Sequence, residues 1–165
     1  MTEKNNITTQ PADSLLRDLK SLIEQGRSQA VAAVNSALTI TYWQVGRRIN
    51  EAVLHGQRAG YGKQVVASLA DELSMTYGKS FEARNLRRMM QFAEVFPELG
   101  IVVPLARQLS WSHFLALIPL KSDEERMFYA DQTAESGWGK RELRKQIEVR
   151  ERLAERKLLE ERNHE

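Results

Sequence analysis

The sequence predicts a mainly α protein: a helical bundle with a helix-turn-helix, winged-helix-like core and a long charged helix at its end. Three observations predict this fold class. Apolar residues recur at intervals of three and four along most of the chain, which places them on one face of a helix. Two such stretches flank Gly78, as in a helix-turn-helix. Residues 140–165 carry nine basic and seven acidic residues and few apolar ones.

The first half of the chain predicts two helices. Asp13 is a good N-cap for a helix over the leucine-rich segment 15–23, and we expect Gly26 to end it. A longer helix follows over residues 28–55, and its stripe of apolar residues requires a bundle or a dimer to cover it. That stripe consists of Val31, Val34, Leu38, Tyr42, Val45, Ile49 and Ala52.

The middle of the chain predicts a helical pair around a short turn. A glycine-rich break over residues 56–62 precedes a helix over 63–77, and Gly78 separates this helix from the next, over 81–95. The second helix should stop before Pro97, because the residue before proline disfavours helical geometry. We expect residues 97–105 to be irregular, with a short extended piece at 101–103.

The last third predicts three more helices. One covers residues 111–118, and Ser122 with Glu125 forms a capping box that opens another, ending near Gly137. A final helix covers residues 140–162. The expected domains are a flexible tail over 1–12, a helical helix-turn-helix domain over 13–138 and a charged C-terminal helix or connector over 139–165.

The composition excludes several functional classes. The chain has no cysteine, which removes disulfides, cysteine-ligated zinc, iron–sulfur clusters and thiol nucleophiles. Its three histidines lie far apart in sequence, so we expect no metal or other cofactor. The polar N-terminus lacks a signal core, and no apolar run approaches the roughly 18 residues of a membrane span. We therefore expect a cytoplasmic protein with no membrane partner.

Charge is unevenly distributed, although the net charge is only +2. Segments 41–63 and 79–91 each carry four basic residues and one acidic residue, whereas 92–138 carries seven acidic and three basic residues. A separate basic face is typical of nucleic-acid binding. Ordinary surface charge is the alternative explanation.

The strongest candidate site is the helix over 81–95, which has two opposite faces. Leu86, Met89, Met90 and Ala93 form an apolar face, and Arg84, Arg87, Arg88 and Gln91 form the opposite one. Arginine and glutamine are the residue types that bond guanine and adenine edges in pairs, and arginine also binds phosphate. Lys79, Ser80 and Asn85, near the helix start, could bind phosphate there. A solvated arginine-rich helix is the alternative.

A second basic segment adds candidate DNA-backbone contacts. Arg47 and Arg48 follow Tyr42 and Trp43, which we expect to be core residues, while Gly46 between them would permit close helix packing. Lys63 lies beyond the glycine-rich break. These three basic residues could bind phosphates beside the main helix.

Catalytic alternatives fail on their spacing. Ser110 and His113 lack a third orienting group, so we expect a helix cap there instead of a triad. The segment 60–63 lacks the spacing of a phosphate-binding loop. Two acid-x-Lys units, at 18–20 and 155–157, lie in helical patterns and not on a strand, where metal nucleases carry them. We therefore expect no catalytic residue and no enzymatic activity in this chain.

Several ordered motifs resemble one family. These are Tyr42-Trp43-Gln44-Val45-Gly46, Ala59-Gly60-Tyr61-Gly62-Lys63, Tyr77-Gly78-Lys79-Ser80-Phe81, Arg84-Asn85-Leu86-Arg87-Arg88-Met89, Leu109-Ser110-Trp111-Ser112-His113 and the run from Trp138 to Ile147. Together, over about residues 14–150, they resemble the N-terminal domain of the YhcG family of predicted bacterial nucleases. A fainter similarity to ParB-type DNA-binding domains covers 69–147. Gly139 departs from the family, which has Ser or Thr there.

The resemblance implies a helix-turn-helix-like DNA-binding module. Family members normally continue into a PD-(D/E)xK nuclease domain, which we expect to be absent from this chain. The residues it implies for DNA contact are Lys79, Ser80, Arg84, Asn85, Arg87 and Arg88.

Two functional hypotheses follow. The first is a non-catalytic module that binds duplex DNA through the helix over 81–95 in the major groove. The alternative is a protein-interaction or oligomerisation module. Its partner would be another copy of this chain, or a nuclease domain or subunit acting in trans.

Overall fold

The computed structural model describes residues 9–54 and 59–164, and within these ranges every regular element is a helix. The chain divides into two compact units, the first ending at Val34 and the second beginning at Asn35. The elements are α1 (Thr9–Leu54), α2 (Ala59–Tyr77), a 3₁₀ turn (Lys79–Phe81), α3 (Ala83–Val95), α4 (Leu99–Ala106), α5 (Trp111–Leu117), α6 (Asp123–Ser136) and α7 (Lys140–Arg162).

Helix α1 is continuous where the sequence predicts two helices. The expectation that Gly26 ends a helix is wrong: within the described residues only Gly78 and Gly137 have positive φ, so Gly26 keeps helical geometry. A glycine inside a helix costs only about 1 kcal/mol relative to alanine, which a long helix tolerates. The helix also begins at Thr9 instead of Asp13, and residues 1–8 of the expected tail lie outside the described residues.

The first unit carries a row of exposed apolar side chains. Seven large aliphatic residues between Leu15 and Val34 are each 47% to 63% exposed. All but Val31 lie on one side of the helix, since Val31 is about 180° around the helix from Leu22. No other described residue of this unit covers them, which distinguishes this part of α1 from the part after residue 38, where Thr39, Trp43 and Ile49 are buried.

The second unit has two hydrophobic clusters, and Trp111 packs against both. The larger cluster surrounds Phe92 and Phe114, whose ring centroids are 4.8 Å apart. The smaller one joins Leu86 and Met89 of α3 to side chains of α1 and α2. Helix α3 therefore supplies buried residues to both clusters, so its orientation is determined by the whole core of this unit.

Helices α1 and α3 cross at Gly46, as the sequence predicts. A Cβ atom added to Gly46 would lie 1.9 Å from the main-chain oxygen of Met89, so no larger residue fits without a backbone shift. Trp43, expected as a core residue, is 5% exposed and donates a hydrogen bond of 2.7 Å from its indole to the carbonyl of Phe96. One turn beyond Gly46, the amide of Asn50 donates to the carbonyl of Met90 at 2.8 Å.

Two segments expected to be irregular are helical. Residues 99–106 form α4, despite Pro104 within it, because Val102 and Ala106 are buried and the helix is only two turns long. Gly60 and Gly62 lie inside α2, so the expected break is wrong there, while residues 55–58 of that segment lie outside the described residues.

The end of α3, both ends of α6 and the range of α7 agree with the sequence predictions. α3 ends at Val95, two residues before Pro97, and Ser122 accepts a hydrogen bond from the backbone of Glu125 at 3.1 Å. This is one half of the capping box predicted for these two residues, and among the described residues the structure shows no return bond from the Glu125 side chain. α6 ends at Gly137, which has φ 65°, the left-handed geometry that glycine adopts without strain. α7 covers the predicted range, and all its residues after Ile147 are exposed.

No single helix within the described ranges is long and apolar enough to cross a membrane. Taken together, α3 and α4 reach that composition, but their axes are bent by 115° at the break between them.

Candidate nucleic-acid interface

The two faces of α3 are placed as the helical spacing predicts. Leu86, Met89 and Phe92 are fully buried and Ala93 nearly so, while Met90 is only partly buried. Phe92 thus takes the place in the core that the sequence assigns to Met90. On the opposite side Arg84, Arg87 and Gln91 are exposed, and Arg88 is half-buried. The structure brings these four side chains together on one accessible face.

The start of α3 is held by a compact turn. Gly78 has φ 93°, which ends α2 and reverses the chain into the 3₁₀ turn. The main-chain carbonyl of Glu82 accepts hydrogen bonds from the backbone N–H groups of Asn85 and Leu86 at 2.9 and 3.0 Å. Lys79 and Ser80 are exposed on this turn, close to the first residues of α3.

The side chain of Asn85 forms two contacts within the protein. Its side-chain amide donates to the carbonyl of Lys79 at 3.2 Å, and its side-chain oxygen lies 3.5 Å from a guanidinium nitrogen of Arg88. Asn85 therefore links the 3₁₀ turn to α3 and orients one arginine of the basic face. In this arrangement its polar atoms are engaged within the protein.

An aromatic contact that the sequence does not single out supports the same turn. The ring of Phe81 packs edge-on against Tyr42 at 6.0 Å and against Tyr77 at 5.8 Å between centroids. This joins the end of α2, the turn and α1. The sequence signal was present in the aromatic residues on both sides of Gly78, but their partner Tyr42 is distant in sequence.

The basic residues of α1 and α2 lie in different surroundings. Arg47 donates to Glu51 and to the carbonyl of Pro97, both at 3.2 Å, and its guanidinium carbon lies 5.4 Å from the ring centroid of Trp43. It is thus near the C-terminal end of α3, away from the Lys79 turn. Arg48 and Lys63 are exposed.

The positive charge on α3 is not neutralised by neighbouring acids. Among the described residues the ion pairs are Arg47–Glu51, Asp123–Arg126 and Glu148–Arg152. None involves Lys79, Arg84, Arg87 or Arg88. The α3 face therefore presents guanidinium groups to solvent, which is the arrangement that phosphate binding requires.

Ser110 and His113 form a capping box at the start of α5, as expected, and the Ser110 hydroxyl lies 2.9 Å from Nδ1 of His113. The backbone N–H of Ser110 donates to Nδ1 of His113 at 3.0 Å, which requires a neutral ring with its proton on Nε2. That Nε2 then donates to the carbonyl of Trp138 at 2.8 Å. The third group is a peptide carbonyl in place of the carboxylate of a triad, and the histidine links α5 to the start of α7.

The two acid-x-Lys units lie on helices, as expected. Residues 18–20 are exposed on α1 and residues 155–157 on α7. In the part of the chain that the structure describes, no group of three or more His, Cys, Asp or Glu residues is placed to hold a metal ion.

Comparison with known proteins gives the family. The model of the DUF1016 N-terminal domain matches residues 18–153, most of the chain. The chain belongs to this family. Its sequence is also 30% identical over 156 residues to "Putative nuclease YhcG" of Escherichia coli (strain K12), an alignment that covers 76% of this chain and 42% of the relative. No solved structure matches the chain.

The match confirms the resemblance to the YhcG family and extends over α2 to α6 in full. The chain spans less than half the length of its E. coli relative. The basic face of α3, the Gly46 crossing and the Ser110 cap all lie within the matched residues.

Proposed function

We propose that this DUF1016 N-terminal domain is a non-catalytic DNA-binding module of a YhcG-like nuclease. The observation that carries the proposal is the basic face of α3. Arg84 and Arg87 are exposed and Arg88 is half-buried, and none of the three forms an ion pair within the described residues, while the opposite face of the same helix is anchored in both hydrophobic clusters. A recognition helix combines these two properties, because it must be rigid on one side and free to contact bases on the other.

The dimensions of α3 suit the major groove of duplex DNA. The groove is about 12 Å wide, which admits one α-helix. From Arg84 to Gln91 the helix rises about 10 Å, at about 1.5 Å per residue. This length corresponds to about three base pairs along the duplex. The basic face would therefore contact a short site, with arginine directed at guanine or phosphate and Gln91 at adenine.

The turn before α3 supplies the phosphate contacts. Lys79 and Ser80 are exposed beside the first turn of the helix, where backbone N–H groups and the positive end of the helix dipole favour an anion. Asn85 holds this turn against α3 and acts as a positioning residue. Arg48 and Lys63 would add contacts to the DNA backbone outside the groove.

The experiment is fluorescence anisotropy with a random duplex, titrated at several salt concentrations. Replacing the exposed Arg87 and the half-buried Arg88 by Arg87→Glu and Arg88→Glu should weaken binding at every salt concentration. If both arginines bind phosphate, the slope of log K against log salt should fall by about 1.8, at about 0.9 per phosphate contact. The matched control is Arg141→Glu with Arg144→Glu on α7, which makes the same change in net charge at exposed positions.

The two double variants distinguish DNA binding at the basic face of α3 from DNA binding through the overall charge of the protein. Equal weakening by both would mean that binding depends only on net charge, and α3 would not be the recognition helix. Unchanged affinity in the α3 variant, with its circular dichroism spectrum intact, would overturn the DNA-binding assignment.

A further inference from the structure

Within the first unit, α1 presents an apolar surface that no other described residue of this unit covers. We call it the leucine face. Three serines, Ser14, Ser21 and Ser28, recur every seven residues on the opposite, polar side of the helix. The leucine face consists of Leu15, Leu16, Leu19, Leu22, Ile23 and Val34, each exposed by 47% to 63%. Val31 is not part of it, because it lies about 180° around the helix from Leu22.

The area of the leucine face matches what one partner contributes to a stable dimer. At about 130 Å² for a fully exposed aliphatic side chain, its six residues expose roughly 430 Å² of apolar surface. Monomeric proteins rarely leave a contiguous apolar patch of more than a few hundred Å². A standard interface buries about 800 Å² per partner, of which about 60% is apolar.

Side-chain size along the helix indicates which partner fits. With a spacing of four and three residues, the centre of the face runs through Leu16, Leu19 and Ile23, and the same spacing then continues through Gly26, Ala30 and Ala33. The first three are large and the last three are small. A Cβ atom added at Gly26 would meet nothing within 4 Å, so this chain alone gives no packing reason for the small residues.

We infer that the leucine face binds the same face of a second copy of this chain in the antiparallel direction. A two-fold axis between Ile23 and Gly26 places Leu16 opposite the partner's Ala33, Leu19 opposite the partner's Ala30 and Ile23 opposite the partner's Gly26. Each layer then pairs one large residue with one small residue, so the helices pack closely without voids. A parallel pair in register would instead place leucine on leucine and glycine on glycine.

The charged residues of this part of α1 do not oppose the pairing. Between residues 12 and 34 the helix carries three acidic and three basic residues, so two copies do not repel each other through net charge. Association through the leucine face should therefore persist when salt is raised. DNA binding should weaken under the same change, which distinguishes the two proposals in one titration series.

The first test is sedimentation equilibrium of the whole chain without DNA. The expected result is a monomer–dimer equilibrium at micromolar concentration. Leu19→Asp places a charge in the centre of the face and should weaken the dimer by roughly 100-fold or more. Ser21→Asp, the matched control on the polar side of the same helix, should leave the dimer unchanged. A wild-type chain that stays monomeric to about 100 µM would overturn the inference.

The second test determines the direction of the two helices. The chain has no cysteine, so single cysteines can be introduced without background. A mixture of Leu19→Cys and Ala30→Cys chains should form a mixed disulfide dimer on oxidation, while neither variant alone should cross-link efficiently. Efficient cross-linking of Leu19→Cys to itself would show a parallel pair and contradict the antiparallel one.

Gly26→Leu tests the direction of the two helices independently, because the variant should change dimer affinity in opposite directions for the two arrangements. The substitution improves helix propensity and adds apolar surface, so it would strengthen a parallel pair in which the two residues face each other. In the antiparallel pair it collides with the partner's Ile23 and should weaken association at least tenfold. A stronger dimer in this variant, with unchanged helical content, would refute the proposed register.

Discussion

Gly46→Ala tests the contact that orients α3. The new Cβ atom would lie 1.9 Å from the carbonyl oxygen and 2.3 Å from the carbonyl carbon of Met89, both backbone atoms that cannot rotate away. Ordinary contact begins near 3.4 Å. The two helices must therefore separate by about 1.5 Å. Such a shift stretches the buried hydrogen bond of 2.7 Å from Trp43 to Phe96 and that of 2.8 Å from Asn50 to Met90.

The expected cost is about 3 kcal/mol. Overpacking contributes about 1–3 kcal/mol. Two lost hydrogen bonds add about 1 kcal/mol each. The better helix propensity of alanine returns about 1 kcal/mol, so the steric and hydrogen-bond terms prevail. For a protein of this size, about 2–4 °C of melting temperature corresponds to each kcal/mol. We therefore expect a decrease of roughly 6–12 °C.

The assay is thermal and urea unfolding of the variant beside Gly100→Ala. Gly100 is also helical, but a Cβ atom there would meet nothing within 4 Å, so its substitution should be neutral or slightly stabilising. Because Trp43 is buried at the crossing, its fluorescence should also change in the Gly46 variant. A Gly46→Ala chain as stable as the wild type would refute the backbone contact between α1 and α3.

Three further predictions concern α6. Burial raises the pKa of Tyr129 above its usual value of 10.0, although the nearby positive charge of Arg150 opposes the shift. The folded state then keeps this proton longer than the unfolded state, so stability is complete below pH 10 and decreases as pH rises further. Unfolding at pH 9 and 11 should show a smaller decrease in Tyr129→Phe than in wild type or Tyr61→Phe, and equal decreases would contradict it. Ser122→Ala removes the N-cap of α6 and should cost about 1 kcal/mol. Gly137→Ala forces alanine into left-handed geometry and should cost about 1–2 kcal/mol. Urea midpoints measure both, and Ser136→Ala, an exposed residue beside the cap, should stay within about 0.5 kcal/mol of wild type.

The sequence predicts α3 and its two faces well because the signal is local. Alternation of apolar and basic residues at helical spacing needs no information about distant segments, and the same holds for the Ser122 cap and the Gly137 end. The errors arise where long-range packing decides. Pro104 weakens α4 locally, yet burial of Val102 and Ala106 keeps the segment helical.

The periodic stripe of α1 shows a second limit of local reasoning. Its spacing is the same from Val31 to Ile49 and correctly predicts one apolar side. The structure leaves Val31, Val34 and Leu38 exposed, whereas Ile49 is buried and Tyr42 and Val45 are half-buried. Spacing shows which side of a helix is apolar, but not what covers it. The residues that cover Ile49, from Val66 of α2 to Met89 of α3, lie 17 to 40 residues further along the chain.

Arg47 shows how the structure ranks residues that the sequence treats as equivalent. As a basic residue next to Arg48 it has the same predicted role in binding the DNA backbone. Its guanidinium, however, pairs with Glu51, donates to the carbonyl of Pro97 and lies over Trp43. These contacts offset part of its charge and direct it to the C-terminal end of α3. In the DNA-binding proposal Arg47 therefore contributes mainly by holding α3 in place, while the arginines on the exposed face of α3 contribute the charge.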